Sequence, residues 1–489
     1  MVYLKKLKTP KVKKVILQFA DFLGGARRDI DANILPIKYA FNTYNFDISD
    51  GALRDGLGIE KLDKKYLNKQ NELIYPEGEV LRAWQYYRYD FDNQRRDDKL
   101  IIYMSDGYLY FVGLFDETFE FQKIENSYFS SPPNFLNYRL NSEDVLIATS
   151  PDDEMLVFDG VGSYRVPDAP KITSMSIHYE RLFATSAGES NQIWFSKELD
   201  PVNWDINLES AGFIEMNDQR GALLEVMSFL DYVYVFREFG ISRISAYADQ
   251  TQFFVSHLFT SSGRIAKKTV ALCGDRVIFL TSSGLYAFDG LQTHKILSEI
   301  TDAITDIDSA HAVFYNGKYY LACKFDFRDG RKIHCETGDF TLNAVIEYDI
   351  IKKSYVIYRG IDAASFCPLK IGSQELLCLA TKGGGFLSIL AEGAKYYQDQ
   401  LKKVWQSPYS DLGLANYKKV LKALYITSLT PCDIIVNADG REFRYKISGG
   451  QGITRITPKI SFEKMSITFE CEDSPSYITR PMLELDISR

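Results

Sequence analysis

Short apolar runs, each closed by a tight turn and answered by a second run, recur through the middle of the chain. KLIIYM (99–104) meets Ser105-Asp106-Gly107 and returns as YLYFVG (108–113). DVLIAT (144–149) is followed by a Pro-Asp-Asp turn and MLVFDG (155–160), and RVIFLT (276–281) by Ser282-Ser283-Gly284 and LYAFDG (285–290). Similar text surrounds YVYVF (232–236), HAVFYNGKYYLA (311–322) and 376–387, the last turning at Gly383-Gly384-Gly385. Asp-Gly and other Gly-rich turns between apolar runs mark β-hairpins. The units begin roughly 40–55 residues apart, a period that propeller blades produce. A blade is a small twisted sheet that cannot bury both faces alone, so blades pack radially and share cores. The chain holds 32 Tyr and 32 Phe, side chains suited both to strands and to filling layers between blades. Residues 81–393 are therefore expected to form six or seven blades. Trp204-Asp205 lacks a Gly-His partner, so the array is not of the WD40 kind, and no Ser-x-Asp-x-Gly-x-x-Trp box is present.

The text changes after Leu390. VLKALYITS (420–428), DIIV (433–436), FRYKI (443–447), MSITFE (465–470) and MLELDI (482–487) read as short alternating strands, with Asp439-Gly440 as one hairpin turn. Residues 394–489 are expected to form a small β-sandwich. Residues 1–80 read as an N-terminal arm and lead-in strands, in which NFDI (45–48) is followed by two Asp-Gly pairs. Helical periodicity is scarce, with 303–310 the one candidate turn. The fold class is all-β: a propeller of six or seven blades with an N-terminal arm and a C-terminal sandwich.

Charge narrows the function. With 57 Lys and Arg against 65 Asp and Glu, the net charge of −8 opposes a nucleic-acid binder that uses its whole surface. No apolar run approaches the ~20 residues of a membrane span. The Lys-rich start and Val15-Ile16-Leu17 resemble a signal peptide, but Gln18 and Asp21 interrupt the apolar stretch and no small-x-small cleavage site follows. The seven Cys are odd in number and contain no CxxC pair, so they read as buried thiols of a chain made in a reducing cytoplasm. The five His form neither HxH nor HExxH. Asp302, Asp306 and Asp308 lack the Gly and the terminal Glu of an EF-hand, so that run reads as a solvated connector. There is no GxSxG elbow and no phosphate-binding P-loop. Carboxylate pairs for glycoside hydrolysis need meet only in space, so spacing does not single one out. The expectation is of no catalytic, metal or cofactor site and no cofactor.

One cluster of charge stands apart. Lys5, Lys6, Lys8, Lys11, Lys13 and Lys14 fall within the first twenty residues without an acid. Such an arm is a solvated terminus, a strand docked on a neighbour, or a phosphate-contacting arm. If all six met phosphates, log K would fall with log[salt] at a slope of about −5.

Longer segments carry a resemblance. NFDISDGALRDGLGI (45–59), ERLFATSAGESNQIWFSKELDPVNW (180–204), YVYVFREFGISRIS (232–245), GLYAFDG (284–290) and WQSPYSDLGLANYKKVLKALY (405–425) occur in order. Together they resemble segments of the propeller-bearing tail tubular, nozzle and DNA-stabilising closure proteins of short-tailed bacteriophages. The resemblance implies a virion structural protein of the tail, made in the host cytoplasm, with no catalytic residues to carry over. It implies a homo-oligomeric ring, commonly hexameric, that joins the portal, adaptor and other tail proteins and passes DNA through its lumen without sequence specificity. Known nozzle proteins are often larger, with inserted domains not found in this sequence. An acidic chain would let DNA slide, because few phosphates would be held. Residues 1–40 would supply an inter-subunit arm, with Arg27 and Arg28 beside a Gly24-Gly25 hinge. Two other classes fit a propeller. A lectin or receptor-binding module would repeat its aromatic residues blade by blade, and Trp84, Trp194, Trp204 and Trp405 do not recur in register. A propeller glycosidase would need clustered acids in a funnel. Fold alone does not choose among these.

Overall fold

A computed structural model describes residues 12–18, 22–208, 210–247, 249–329, 334–335, 338–339, 342–393 and 395–488. Two compact units emerge. One comprises Glu60–Lys324 and Asp362–Leu390; the other comprises Met1–Ile59, Phe325–Ile361 and Ala391–Arg489. These units do not follow the three consecutive segments expected from the sequence (1–80, 81–393, 394–489). The reason is that strands distant in sequence pair within one unit.

The larger unit is a β-propeller, and the described residues form seven blades. Blade one is Val80–Tyr86, Lys99–Met104, Leu109–Gly113 and Gln122–Lys123; blade two is Asn134–Leu140, Glu143–Thr149, Met155–Phe158 and Ser163–Val166. Blade three is Ile172–His178, Arg181–Ser186, Gln192–Phe195 and Gly212–Glu215; blade four is Leu223–Phe229, Tyr232–Arg237, Gly240–Ser245 and Phe254–Thr260. Blade five is Ala271–Leu272, Val277–Thr281, Gly284–Phe288 and Thr293–Ile296. Blade six begins with the paired strands Ile304–Tyr315 and Lys318–Phe325, and blade seven with Ala363–Ile371, Gln374–Thr381 and Leu387–Glu392. The inner strand of blade seven packs on that of blade one, which closes the ring.

The continuous apolar runs follow from this architecture. In blade two, Leu146, Ala148, Leu156 and Phe158 face a core shared with Tyr86 and Ile101 of blade one. Their sequence neighbours Val145, Ile147, Met155 and Val157 face a core shared with Ile172, Leu182 and Trp204 of blade three. Side chains alternate across a strand, so a sheet buried on both faces needs apolar residues at every position. The literal repeat also has a local cause. In MLVFDG the Asp159 carboxylate accepts from the amides of Val161 and Gly162 at 2.8 and 2.7 Å; in LYAFDG Asp289 accepts from Leu291 and Gln292 at 2.9 and 2.8 Å. Gly160 and Gly290 follow at φ +98° and +99°, a region costly for other residues.

The smaller unit contains a β-sandwich. One sheet runs Phe46–Asp47, Leu53–Asp55, Tyr477–Ser488, Lys418–Ser428 and Thr454–Ile456, with Lys13–Gln18 paired to Tyr477–Ser488 and Ile460–Phe462 to Lys418–Ser428. The other runs Asn42–Tyr44, Lys403–Gln406, Met465–Cys471, Cys432–Ala438 and Arg441–Ile447. Between them lies one core in which the buried Trp405 ring meets Phe22 and Phe469 at centroid distances of 5.0 and 5.8 Å.

Two sequence readings are corrected. The N-terminal lead-in is not separate from the sandwich: residues 13–18 and 42–55 contribute strands to both of its sheets. Val15 and Leu17 alternate inward onto the core while Lys14 faces its partner strand's Glu484. The candidate helical turn at 303–310, with its acidic connector, lies mostly within the inner strand Ile304–Tyr315, and only Thr301–Ala303 forms a 3-10 turn. Ile304, Thr305 and Ile307 are β-branched and favour the extended chain.

Candidate functional site

The seven inner strands surround an axis where charge collects. Arg82 on blade one donates from Nη1 to Asn134 Oδ1 of blade two at 2.9 Å, and Asn134 Nδ2 donates to the Thr173 carbonyl of blade three at 2.7 Å. Lys267, in the 3-10 turn Lys267–Thr269 that leads into blade five, donates from Nζ to the same carbonyl at 2.6 Å. That bond bypasses blade four. Ser174 Oγ donates to Glu225 Oε1 of blade four at 2.6 Å and accepts from the Val226 amide at 3.1 Å. On the far side, Ser365 of blade seven bonds the Leu81 carbonyl at 3.0 Å. His311 of blade six lies against Phe366 with ring centroids 5.2 Å apart.

Arg82, Glu225, Lys267 and His311 are half-buried and Lys268 is exposed, and the surrounding protein shifts their chemistry. Burial lowers the pKa of Arg82, Lys267 and Lys268, and raises that of Glu225 against the pull of Lys267 and Arg82. Burial pushes His311 down to about 4, helped by the fields of Lys268, Lys382 and Arg82. Its Nδ1 lies 3.4 Å from the Ser309 carbonyl, and its buried Nε2 has no hydrogen-bond partner. Sequence reasoning missed this cluster. The available signal was a single charge inside an apolar inner strand, as in VLRAWQY and LLEVMSF.

A separate cavity of about 470 Å³ opens where the inner strands of blades one to three end, lined by Tyr87, Arg88, Arg96, Asn137, Arg139 and Asp144 among others. Its cations are engaged: Arg88 with Asp97 and the Asp159 carbonyl, Arg96 with Asp98, and Arg139 with the Ser142 carbonyl and the Phe91 ring.

The charged arm is only partly within view. Lys5, Lys6, Lys8 and Lys11 lie outside the described residues. Lys13 and Lys14 sit on the strand Lys13–Gln18, and Lys14 pairs with Glu484 at 3.0 Å. This strand satisfies its backbone against Tyr477–Ser488 of the same chain. Arg27 is held by Asp29 and lies over the Tyr39 ring. Arg28 is largely buried, donating to Asn42 Oδ1 at 3.1 Å and the Phe327 carbonyl at 3.2 Å. Of the described members of this set, Lys13 and Lys14 are exposed on their strand, whereas Arg27 and Arg28 are bound internally.

The segments that carry the resemblance are structural at the level of single atoms. Arg181 is buried and donates to the Ser196 carbonyl at 3.1 Å and to Glu198, while Ser196 Oγ accepts from the Leu182 amide at 3.0 Å. Trp204 ends that segment in the core between blades two and three. Asn45 is fully buried at φ +61°. Its side chain accepts from the Arg359 amide at 2.7 Å and donates to the carbonyls of Arg359 and Lys402 at 3.2 and 2.9 Å.

Among the described residues no group of His, Cys, Asp and Glu is arranged to hold a metal ion. Cys273, Cys323, Cys367, Cys378, Cys432 and Cys471 are buried free thiols. Trp204 and Trp405 are buried and Trp84 and Trp194 half-buried. Among the described residues no helix is long and apolar enough to cross a membrane.

No family model matches the chain, and no curated protein matches it. Solved structures similar to it include the complex of BBS1N with ARL6DN, at 12% identity and a TM-score of 0.41 over 67% of this chain and 99% of the other. Raptor of Chaetomium thermophilum aligns at 10% identity and 0.43, over 68% of this chain and 30% of its own. PorZ of Porphyromonas gingivalis aligns at 13% identity and 0.30, over 61% of this chain and 45% of its own.

Proposed function

We propose that this protein is a non-catalytic structural subunit of a short-tailed phage tail, forming a nozzle, tail-tube or head-closure ring in the virion. The observation that carries this reading is the placement of the signature segments. Arg181, Trp204, Asn45 and Trp405 are the conspicuous residues of the resemblance, and each is committed to folding. A segment whose side chains are spent on its own fold serves architecture, whereas an enzyme's signature leaves its reactive groups facing a cleft.

The axis supports the same reading from another direction. Lys267 reaches past blade four to bond blade three, so the interior of one propeller is laced with side chains. DNA would pass instead through the lumen of a ring of copies. Such a ring would be a homo-hexamer built on the portal and adaptor, and its net acidic subunits would bind DNA weakly and without sequence specificity. Size-exclusion chromatography with light scattering tests the ring. A species near six times the 55.9 kDa protomer is expected. A monomer at every concentration, alone and mixed with portal and adaptor, overturns it.

A further inference from the structure

The turns of the propeller fall on two faces, and the faces differ. In each antiparallel four-stranded blade the first and third turns share one end, while the second turn and the link to the next blade share the other. In blades one to five the first and third turns are 87–98, 114–121, 141–142, 159–162, 179–180, 196–211, 230–231, 246–253, 273–276 and 289–292. Among the described residues they hold eleven exposed large apolar side chains, Phe91, Phe115, Val161, Leu199, Tyr247 and Leu291 among them, whereas the opposite face of these blades holds two, Tyr128 and Phe239. Val161 is 85% exposed and Tyr247 71%. The same turns carry seventeen Asp and Glu against five Lys and Arg, an acidic surplus larger than the −8 of the whole chain. The opposite turns carry eleven against five. A field of exposed apolar side chains on one face marks an interaction surface. Its charge requires a partner that offers apolar groups and amines together.

We propose that this face is the docking surface for the Lys-rich segment 1–11 of a second copy of the chain, anchored at a cavity between the turns of blades one and two. The cavity measures about 350 Å³, and Asp90, Asp92, Glu143, Asp144 and Asp159 line it with Phe91. Its two cations are spent elsewhere, Arg88 on Asp97 and the Asp159 carbonyl, and Arg139 on the Ser142 carbonyl and the Phe91 ring. Asp90, Asp144 and Asp159 accept from neutral donors: Asn93, the Tyr89 amide, and the amides of Val161 and Gly162. Those bonds fix the carboxylates without cancelling their charge. Residues 1–11 lie outside the described residues, and their sequence, MVYLKKLKTPK, combines four Lys with Val2, Tyr3, Leu4 and Leu7 and contains no acid. Such a segment sets ammonium groups among the carboxylates and apolar groups against the exposed tips. Eleven residues span at most about 36 Å, more than three times the ~10 Å between packed sheets, so one segment reaches the turns of several blades. A contact between two different surfaces of the same chain is heterologous and closes into rings. The docking rests on the ring reading only for the presence of a second copy.

The test is carbodiimide coupling of Lys amines to carboxylates in full chains, half of them labelled with heavy nitrogen, mixed while dilute and then concentrated. Mass spectrometry should find amide links between Lys5, Lys6, Lys8 or Lys11 of one label and Asp90, Asp92 or Glu143 of the other. Links confined to chains of a single label would assign the segment to its own propeller and overturn the proposal. Links to Asp152 or Glu154 on the opposite face, as frequent as these, overturn it too. Light scattering then measures the contact. Asp92→Lys with Glu143→Lys changes exposed side chains and is expected to weaken self-association about tenfold; adding Lys5→Glu and Lys6→Glu is expected to restore most of it. Damage to the fold does not produce such a restoration. A hexamer indifferent to both sets of reversals overturns the docking and leaves the ring standing. Association in a number other than six, weakened by the first set and restored by the second, keeps the docking and ends the ring reading. A wild type that is monomeric at every concentration overturns both.

Discussion

The sandwich and the propeller place their buried charges under opposite conditions. In the sandwich unit Lys403, Arg359 and Lys419 are nearly inaccessible, and each finds acceptors. Lys403 has a carboxylate, a carbonyl and a hydroxyl; Arg359 has Asp329 at 2.7 Å and lies over the Phe327 and Tyr44 rings; Lys419 has the Leu414 carbonyl at 2.9 Å. Lys403 and Arg359 tie segments that are remote in sequence, Asp55 and Asp329. Along the propeller axis each blade is held by its own hairpins and by the apolar layers on either side, and side-chain bonds such as Lys267 to the Thr173 carbonyl add links between blades. Arg82 and Lys267 there bond neutral acceptors, Asn134 Oδ1 and the Thr173 carbonyl. The difference teaches that the sandwich unit holds Lys403 and Arg359 with carboxylates of the chain, whereas Arg82 and Lys267 at the axis rest on neutral acceptors.

The largest effect expected from that comparison is in the sandwich core. Trp405→Ala removes a fully buried indole between two sheets and is expected to cost about 4 kcal/mol. Hydrogen exchange should then show the strands of both sheets opening together while blades one to four keep their protection. Exchange that rises equally in those blades would break the distinction between the units.

Asn45→Ala comes next, at about 3 kcal/mol. It removes three side-chain hydrogen bonds and places a Cβ residue that lacks an Asn side chain at φ +61°. Urea midpoints measure the loss, and Asn45→Gly should recover only the backbone part of it.

Histidine separates the two units by pH. Four of the five His lie in the propeller segments, and His311 is the one pushed to about 4. An unfolded His takes up its proton near pH 6.5, whereas His311 in the folded axis does not until far lower. Between those values the unfolded state binds more protons, so propeller stability is full above pH 6.5 and falls as pH drops toward 4. Comparing urea midpoints at pH 7 and pH 5, the wild type should lose about 1–2 kcal/mol more than His311→Gln. Equal losses would remove His311 from the account.

The smallest effect sharpens the comparison from the surface. Lys14 is largely exposed in its pair with Glu484, so Lys14→Ala is expected to change stability by less than about 0.5 kcal/mol. A loss several times larger, read from the same urea midpoints, would mean that the N-terminal strand depends on its charge rather than on Val15 and Leu17.

What the sequence by itself determined is local. The hairpins, their Asp-Gly turns and the doubly buried strands of blades one to five follow from contacts between residues a few positions apart, such as Asp159 with Val161 and Gly162. The β-sandwich at the C-terminus was legible for the same reason: alternation along Lys418–Ser428 and Cys432–Ala438 reports one buried face. The tertiary structure decided everything that joins distant positions. It paired Lys13–Gln18 with Tyr477–Ser488, set Asn45 against Arg359 and Lys402, and turned the acidic run after Ala303 into an inner strand. It also brought Arg82, Glu225, the Lys267-Lys268 pair and His311 to one axis from four stretches of chain. A lone charge in an apolar strand marks Arg82 and Glu225 only faintly, because strand periodicity fixes the face a side chain takes and leaves open which distant strand it meets.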